Sequence, residues 1–153
     1  MLFLKIMNKI RLIFFFIFLI LFNQYSYGNL IEIKVKINDE IITNLDIENE
    51  KNYLFFLNPK LLELEKSKIE NLAKNSLITD IIKKIELEKI FDFSNNYNLI
   101  SEIEKKILKQ RNIANLEEFK IILKNKNLNY YTFKEKLLIE TLWNKLIYEK
   151  YKD

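Results

Sequence analysis

Between Leu30 and Ile37 apolar and polar residues alternate, and after Thr43 the apolar residues recur every three or four. That change of period fixes the fold class: a strand with one buried face, followed by helices. Ile31, Ile33, Val35 and Ile37 point one way, and Glu32, Lys34 and Lys36 the other. Asn38-Asp39 tolerates turn backbone, so Glu40 to Thr43 is expected to return as a second strand. A lone hairpin is marginal in water, so its apolar face must dock on helices. The fold expected is mainly α, an N-terminal β-hairpin followed by about five helices.

Thr43 or Asn44 can cap the first helix, which runs to about Leu57 with Asp46 and Glu48 near its start. Pro59, the only proline, breaks the chain. A long second helix is expected from about Leu61 to Phe91, with a break near Leu64 or Asn75 as an alternative. Its stripe is Ile69, Ala73, Leu77, Ile81 and Ile85, and Lys83, Lys84, Glu86 and Glu88 cover the other side. Ser94 to Asn96 restart the chain, and Ile100, Ile103 and Ile107 line a third helix. Asn115 with Glu118 has capping-box spacing for a fourth. Asn127 to Asn129 break that helix, and Thr132 with Glu135 is a second such box for the last. The last helix carries two apolar rows, Leu138/Leu142/Leu146 and Ile139/Trp143/Ile147/Tyr151, more than one neighbouring helix covers.

The first 28 residues have a different logic. Lys5, Lys9 and Arg11 precede an unbroken apolar run from Leu12 to Phe22, and Ser26-Tyr27-Gly28 offers small residues for cleavage after Gly28. This is the three-part pattern of a secretory signal peptide. The run is shorter than the roughly 20 residues a membrane-crossing helix needs. The expectation is therefore a signal peptide over 1–28, a mature domain over 29–153 and a periplasmic location, with an uncleaved inner-membrane anchor as the alternative. On the first reading the membrane is met only in transit.

Composition excludes more than it proposes. The chain has no Cys and no His, so disulfides, thiol nucleophiles and the usual general base near neutral pH are all missing. Of the 25 basic residues three precede Gly28, where there is no acid, leaving 22 against 21. That balance argues against nucleic acid as a partner. The richness in Ile, Lys and Asn has the look of an AT-rich genome, which lowers the weight of any charge run. The acid pairs Glu63/Glu65, Glu86/Glu88 and Glu117/Glu118 sit among lysines on helices and read as solvated, salt-bridged faces. No pattern calls for a cofactor or a metal, and no catalytic constellation is visible.

Three stretches in this order resemble the N-terminal domain of the SurA family of periplasmic chaperones and peptidyl-prolyl isomerases. They are IKVKINDEIITNLDIE at 33–48, LAKNSLITDIIKKIELEKIF at 72–91 and LEEFKIILKNKNLNYYTFKEKLLIETLWNKLIYEKY at 116–151. Family members usually continue into parvulin isomerase domains with histidine-based active sites. This sequence ends where the first would begin and has no His, so no isomerase activity is expected. The resemblance implies an ATP-independent chaperone module for unfolded secreted or outer-membrane precursors. Candidate client-binding residues are Tyr53, Phe56, Tyr130, Tyr131, Phe133, Trp143 and Ile147, each of which could equally serve a core or helix junction. The alternatives are an assembly subunit, forming a homodimer or pairing with a separate isomerase, and the N-terminal fragment of a longer parvulin-type isomerase.

Overall fold

The computed structural model describes residues 11, 30–93 and 97–152. Apart from Arg11, the proposed signal segment and its boundary at Gly28 lie outside the described residues. Strands β1 (Ile33–Ile37) and β2 (Glu40–Thr43) form an antiparallel hairpin. Five α-helices follow among the described residues: α1 (Asn44–Leu57), α2 (Lys66–Glu88), α3 (Tyr97–Gln110), α4 (Leu116–Asn125) and α5 (Tyr130–Tyr151). A short 3-10 helix, Pro59–Glu63, joins α1 to α2. The mainly helical fold with a leading hairpin is as the periodicity predicts. None of these helices is long and apolar enough to cross a membrane.

The hairpin departs from simple alternation at Lys34. Val35 pairs with Ile42, but Ile33 pairs with Thr43, so β1 takes up one extra residue there. Such a bulge breaks the two-residue period. Val35 and Ile37 pack inward with Ile42, Ile47 and Ala73, whereas Ile33 is 64% exposed. The expected single apolar face of β1 is therefore corrected to its last two members.

Local capping explains most helix ends. Thr43 begins α1 with a full capping box: the Asp46 amide donates to its hydroxyl, and its own amide donates to the Asp46 carboxylate. Asn58 caps the 3-10 helix, with Pro59 at the first helical position, where its missing N–H costs nothing. The expected helix start at Leu61 is thus displaced to Lys66, with the break at Leu64. One turn before Ile69 the stripe would need an apolar residue, and Glu65 stands there. The other end of α2 falls at Glu88, short of Phe91.

Asparagine does the work glycine does elsewhere. Asn38, Asn112 and Asn127 have φ of 53°, 54° and 56°. Asparagine enters this left-handed region more readily than most residues. Asn112 and Asn127 each follow a helix and close it the same way. Ile113 N–H donates to the Leu108 carbonyl and Leu128 N–H to the Leu123 carbonyl, each at 2.9 Å. These are Schellman closures, and both apolar pairs belong to one core cluster. The last helix also starts differently from expectation. Asn129, not Thr132, is the cap, and its Oδ1 accepts from the amides of Tyr131 and Thr132. The Thr132/Glu135 box does not form, because the Glu135 carboxylate is engaged by Lys84 of α2.

Helix α5 runs through the middle of the domain. At its start Phe133 packs with Phe56, Phe119 and Leu123; further along, Leu138, Ile139 and Leu142 pack with Leu87 and Ile100. Its two apolar rows are covered from two sides, by α2 and α3, rather than left open. Only toward the end do Ile147 and Tyr151 emerge, with Tyr148 beside them.

Candidate binding site

The seven candidate residues fall into two groups. Tyr53, Phe56, Phe133 and Tyr130 meet where the end of α1 crosses the start of α5. Edge-on contacts link Tyr53 to Phe133 at 5.7 Å and Phe56 to Phe133 at 5.8 Å between ring centroids. Trp143 and Ile147 lie toward the other end of α5. Phe133 is 2% exposed and Phe56 is also buried, so both belong to the core in this conformation. Tyr131 is 78% exposed, with its ring against Tyr130. Trp143 is half-buried against the Leu87 cluster.

Sequence periodicity had no means of showing what lies on these rings. Lys136 Nζ sits 4.8 Å from the Tyr53 ring centre, Lys120 Nζ 5.2 Å from Tyr130 and Lys83 Nζ 5.9 Å from Trp143. Arg111 stacks on Phe56 with its guanidinium carbon 4.3 Å from the centroid and donates to the Phe56 carbonyl. A cation over a ring face is attracted by the ring quadrupole. Four of the seven candidates thus have a face already occupied.

Beneath Tyr53 lies a buried ionic cluster. Lys136 of α5 contacts both Glu50 of α1, at 2.8 Å, and Asp80 of α2. Glu50 is 2% exposed and also accepts from the Ser76 hydroxyl. Burial acts to lower the Lys136 pKa, but the two carboxylates outweigh it and hold the ammonium above the usual lysine range. Burial pushes the Tyr53 phenol up, helped by Glu50 and Asp80. Lys83 with Glu140 and Lys84 with Glu135 add two more α2–α5 ion pairs. Two residues assigned to the solvent face of α2 therefore reach across to α5. One member of each acid pair, Glu65, Glu86 and Glu117, forms a local ion pair, with Lys68, Lys89 and Lys120, and the Glu118 carboxylate accepts from the Ala114 amide.

A roomier opening lies elsewhere, where α1, the 3-10 helix and α4 converge. It is a cleft of about 430 Å³, floored by Phe55, Phe56, Pro59, Leu62 and Ile122, with Asn52, Arg111 and Lys126 at its polar margin. Leu62 is 65% exposed within it. Pro59 and the Asn58 cap place Leu62 here by starting the 3-10 helix at this point. Of the seven candidates only Phe56 lines this cleft. Phe55, beside Phe56 in the sequence, was the available signal. Among the described residues no cluster of metal-binding side chains occurs.

Comparison with known proteins gives no match: no family model, curated protein or solved structure corresponds to this chain.

Proposed function

We propose that residues 29–153 form an ATP-independent chaperone module that holds unfolded exported polypeptides, including outer-membrane precursors. The observation that carries this reading is the apolar cleft at the α1–α4 junction, with Leu62 standing open to solvent inside it. An exposed, concave apolar surface is where a soluble domain meets a partner. Apolar contact is non-directional, so one cleft can serve many client sequences. The three stretches that resemble the SurA N-terminal domain support the same role, and the pattern of residues 1–28 supports export to the periplasm. The proposed action is passive binding with no catalytic step.

The test is to dilute an unfolded β-barrel precursor from urea into buffer with and without the purified chain, in the absence of nucleotide. A stoichiometric excess is expected to suppress light scattering. Unchanged scattering with a folded chain would refute the reading. Sequencing the N-terminus of exported protein should give Asn29. Recovery of a membrane-fixed chain that retains Leu12 to Phe22 would favour an anchored form.

A second reading, self-association, is favoured by the end of α5, where Ile147, Tyr148 and Tyr151 are exposed together on the last turns. Sedimentation of an Ile147→Asn, Tyr151→Ser variant distinguishes it, because a dimer through this end would dissociate and a monomer would not change.

A further inference from the structure

We propose that the α1–α4 cleft selects apolar peptide segments that carry a carboxylate, held between Arg111 and Lys126. The inference rests on the client-holding reading and adds a chemical preference to it. Its basis is the charge of the cleft. Arg111 and Lys126 line it and, among the described residues, no Asp or Glu does. Some surface lysines have ion-pair partners, Lys34, Lys68, Lys89 and Lys120 among them, and others, such as Lys60 and Lys105, have none among the described residues. Lys126 has none among them either. It follows the carbonyl end of α4, which accounts for a cation there but not for the apolar cleft beside it.

Arg111 is the more telling of the two. Its guanidinium lies against the Phe56 ring and donates one hydrogen bond, 3.4 Å long, to the Phe56 carbonyl. A guanidinium has five N–H donors in a rigid fork. The stacking and the single bond fix the plane, and the remaining donors are left for an acceptor. A carboxylate meets such a fork with two parallel bonds. The group is therefore positioned before the ligand arrives, which lowers the entropic cost of binding. Asn52, on the same margin, offers both a donor and an acceptor. That pair suits a main-chain amide, and a fatty acid has no such group. The occupant is thus an extended polypeptide with apolar side chains on the Leu62 and Ile122 floor and an acidic group at the Arg111 end.

Fluorescence anisotropy with short, dye-labelled peptides tests this directly. All share one aliphatic and aromatic core and an amidated C-terminus, and they end in Asp, Asn or Lys. At low salt the Asp peptide should bind about fivefold tighter than the Lys peptide, with the Asn peptide between them. The gap should shrink as salt is added. Lys126→Glu, at an exposed and unpaired position, should abolish or invert the preference while circular dichroism is unchanged. Leu62→Ser should weaken all three peptides alike. Equal binding of the Asp and Lys peptides overturns the proposal. So does a preference that survives both Lys126→Glu and Arg111→Gln, or capture by anionic lipid vesicles with no peptide binding. A chain that suppresses precursor aggregation but treats the peptides alike loses the selectivity and keeps the holding role. One that discriminates the peptides but leaves aggregation untouched does the reverse.

Discussion

Replacing Lys136 by methionine keeps most of the unbranched side chain and removes the cation that bridges two carboxylates. Glu50 is then left with the Ser76 hydroxyl alone, its side chain 1% exposed. Asp80, whose side chain is 18% exposed, keeps some access to water. Breaking a buried ion pair from one side costs roughly 3–5 kcal/mol, because the remaining charge stays desolvated. The surviving hydrogen bond on Glu50 and the access of Asp80 to water place this case near the lower end, at about 3 kcal/mol. For a domain of this size that is a fall of about 10 °C in Tm. Thermal and urea unfolding followed by far-ultraviolet circular dichroism measure it. The triple variant Glu50→Leu, Asp80→Leu, Lys136→Met removes every charge at once and should recover most of the loss. A loss below about 1 kcal/mol for Lys136→Met alone would show that both carboxylates reach solvent, and the cluster would then not be a clamp joining α1, α2 and α5.

Three further outcomes follow from the same contacts. Tyr53, Tyr130 and Lys136 all hold their protons more tightly in the folded chain, the tyrosines chiefly through burial and Lys136 through its two carboxylates. The stability they contribute is complete below about pH 10 and is lost as pH rises beyond it, so the urea midpoint should fall there, and a flat midpoint would contradict the burial described. Phe133→Ala should cost about 3–5 kcal/mol as a core truncation, whereas Tyr131→Ala, on the adjoining exposed ring, should stay within about 0.5 kcal/mol; equal losses would mean that the two rings are not partitioned as described. Asn129→Ala should cost about 1 kcal/mol by uncapping α5, while Thr132→Ala should cost much less; the reverse order would restore the Thr132 box.

Local pattern carried far in this chain because its helices are marked by single residues. Thr43, Pro59, Asn115 and the break at Asn127 were readable from side-chain chemistry alone. The hairpin and helix count followed from the period. The bulge at Lys34 was not readable, because it depends on how β1 pairs with β2 and not on either strand. Asn129 outcompeted Thr132 as a cap because Glu135 is drawn across to Lys84, a contact between segments far apart in sequence. The cluster of Glu50, Asp80 and Lys136 is hidden for the same reason. Compositional bias misled in a different way. Asn58 and Asn112 stood out in no pattern of this asparagine-rich chain, yet one caps the 3-10 helix and the other is a Schellman residue. Of the aromatic candidates, Tyr53, Phe56, Tyr130 and Phe133 meet where α1 crosses α5. Burial then separated Phe56 and Phe133 from Tyr131, and alternation of apolar types cannot show burial.

Photo-crosslinking from position 62 measures the central claim most directly. A photoreactive phenylalanine analogue in place of Leu62 points from the exposed floor of the α1–α4 cleft. Irradiated with an unfolded β-barrel precursor, it should yield a client adduct in proportion to the suppression of aggregation. The same analogue at Lys105, on the exposed surface of α3, should yield little. Adducts from Lys105 or Tyr148 with none from position 62 would contradict the account and place client contact away from the cleft.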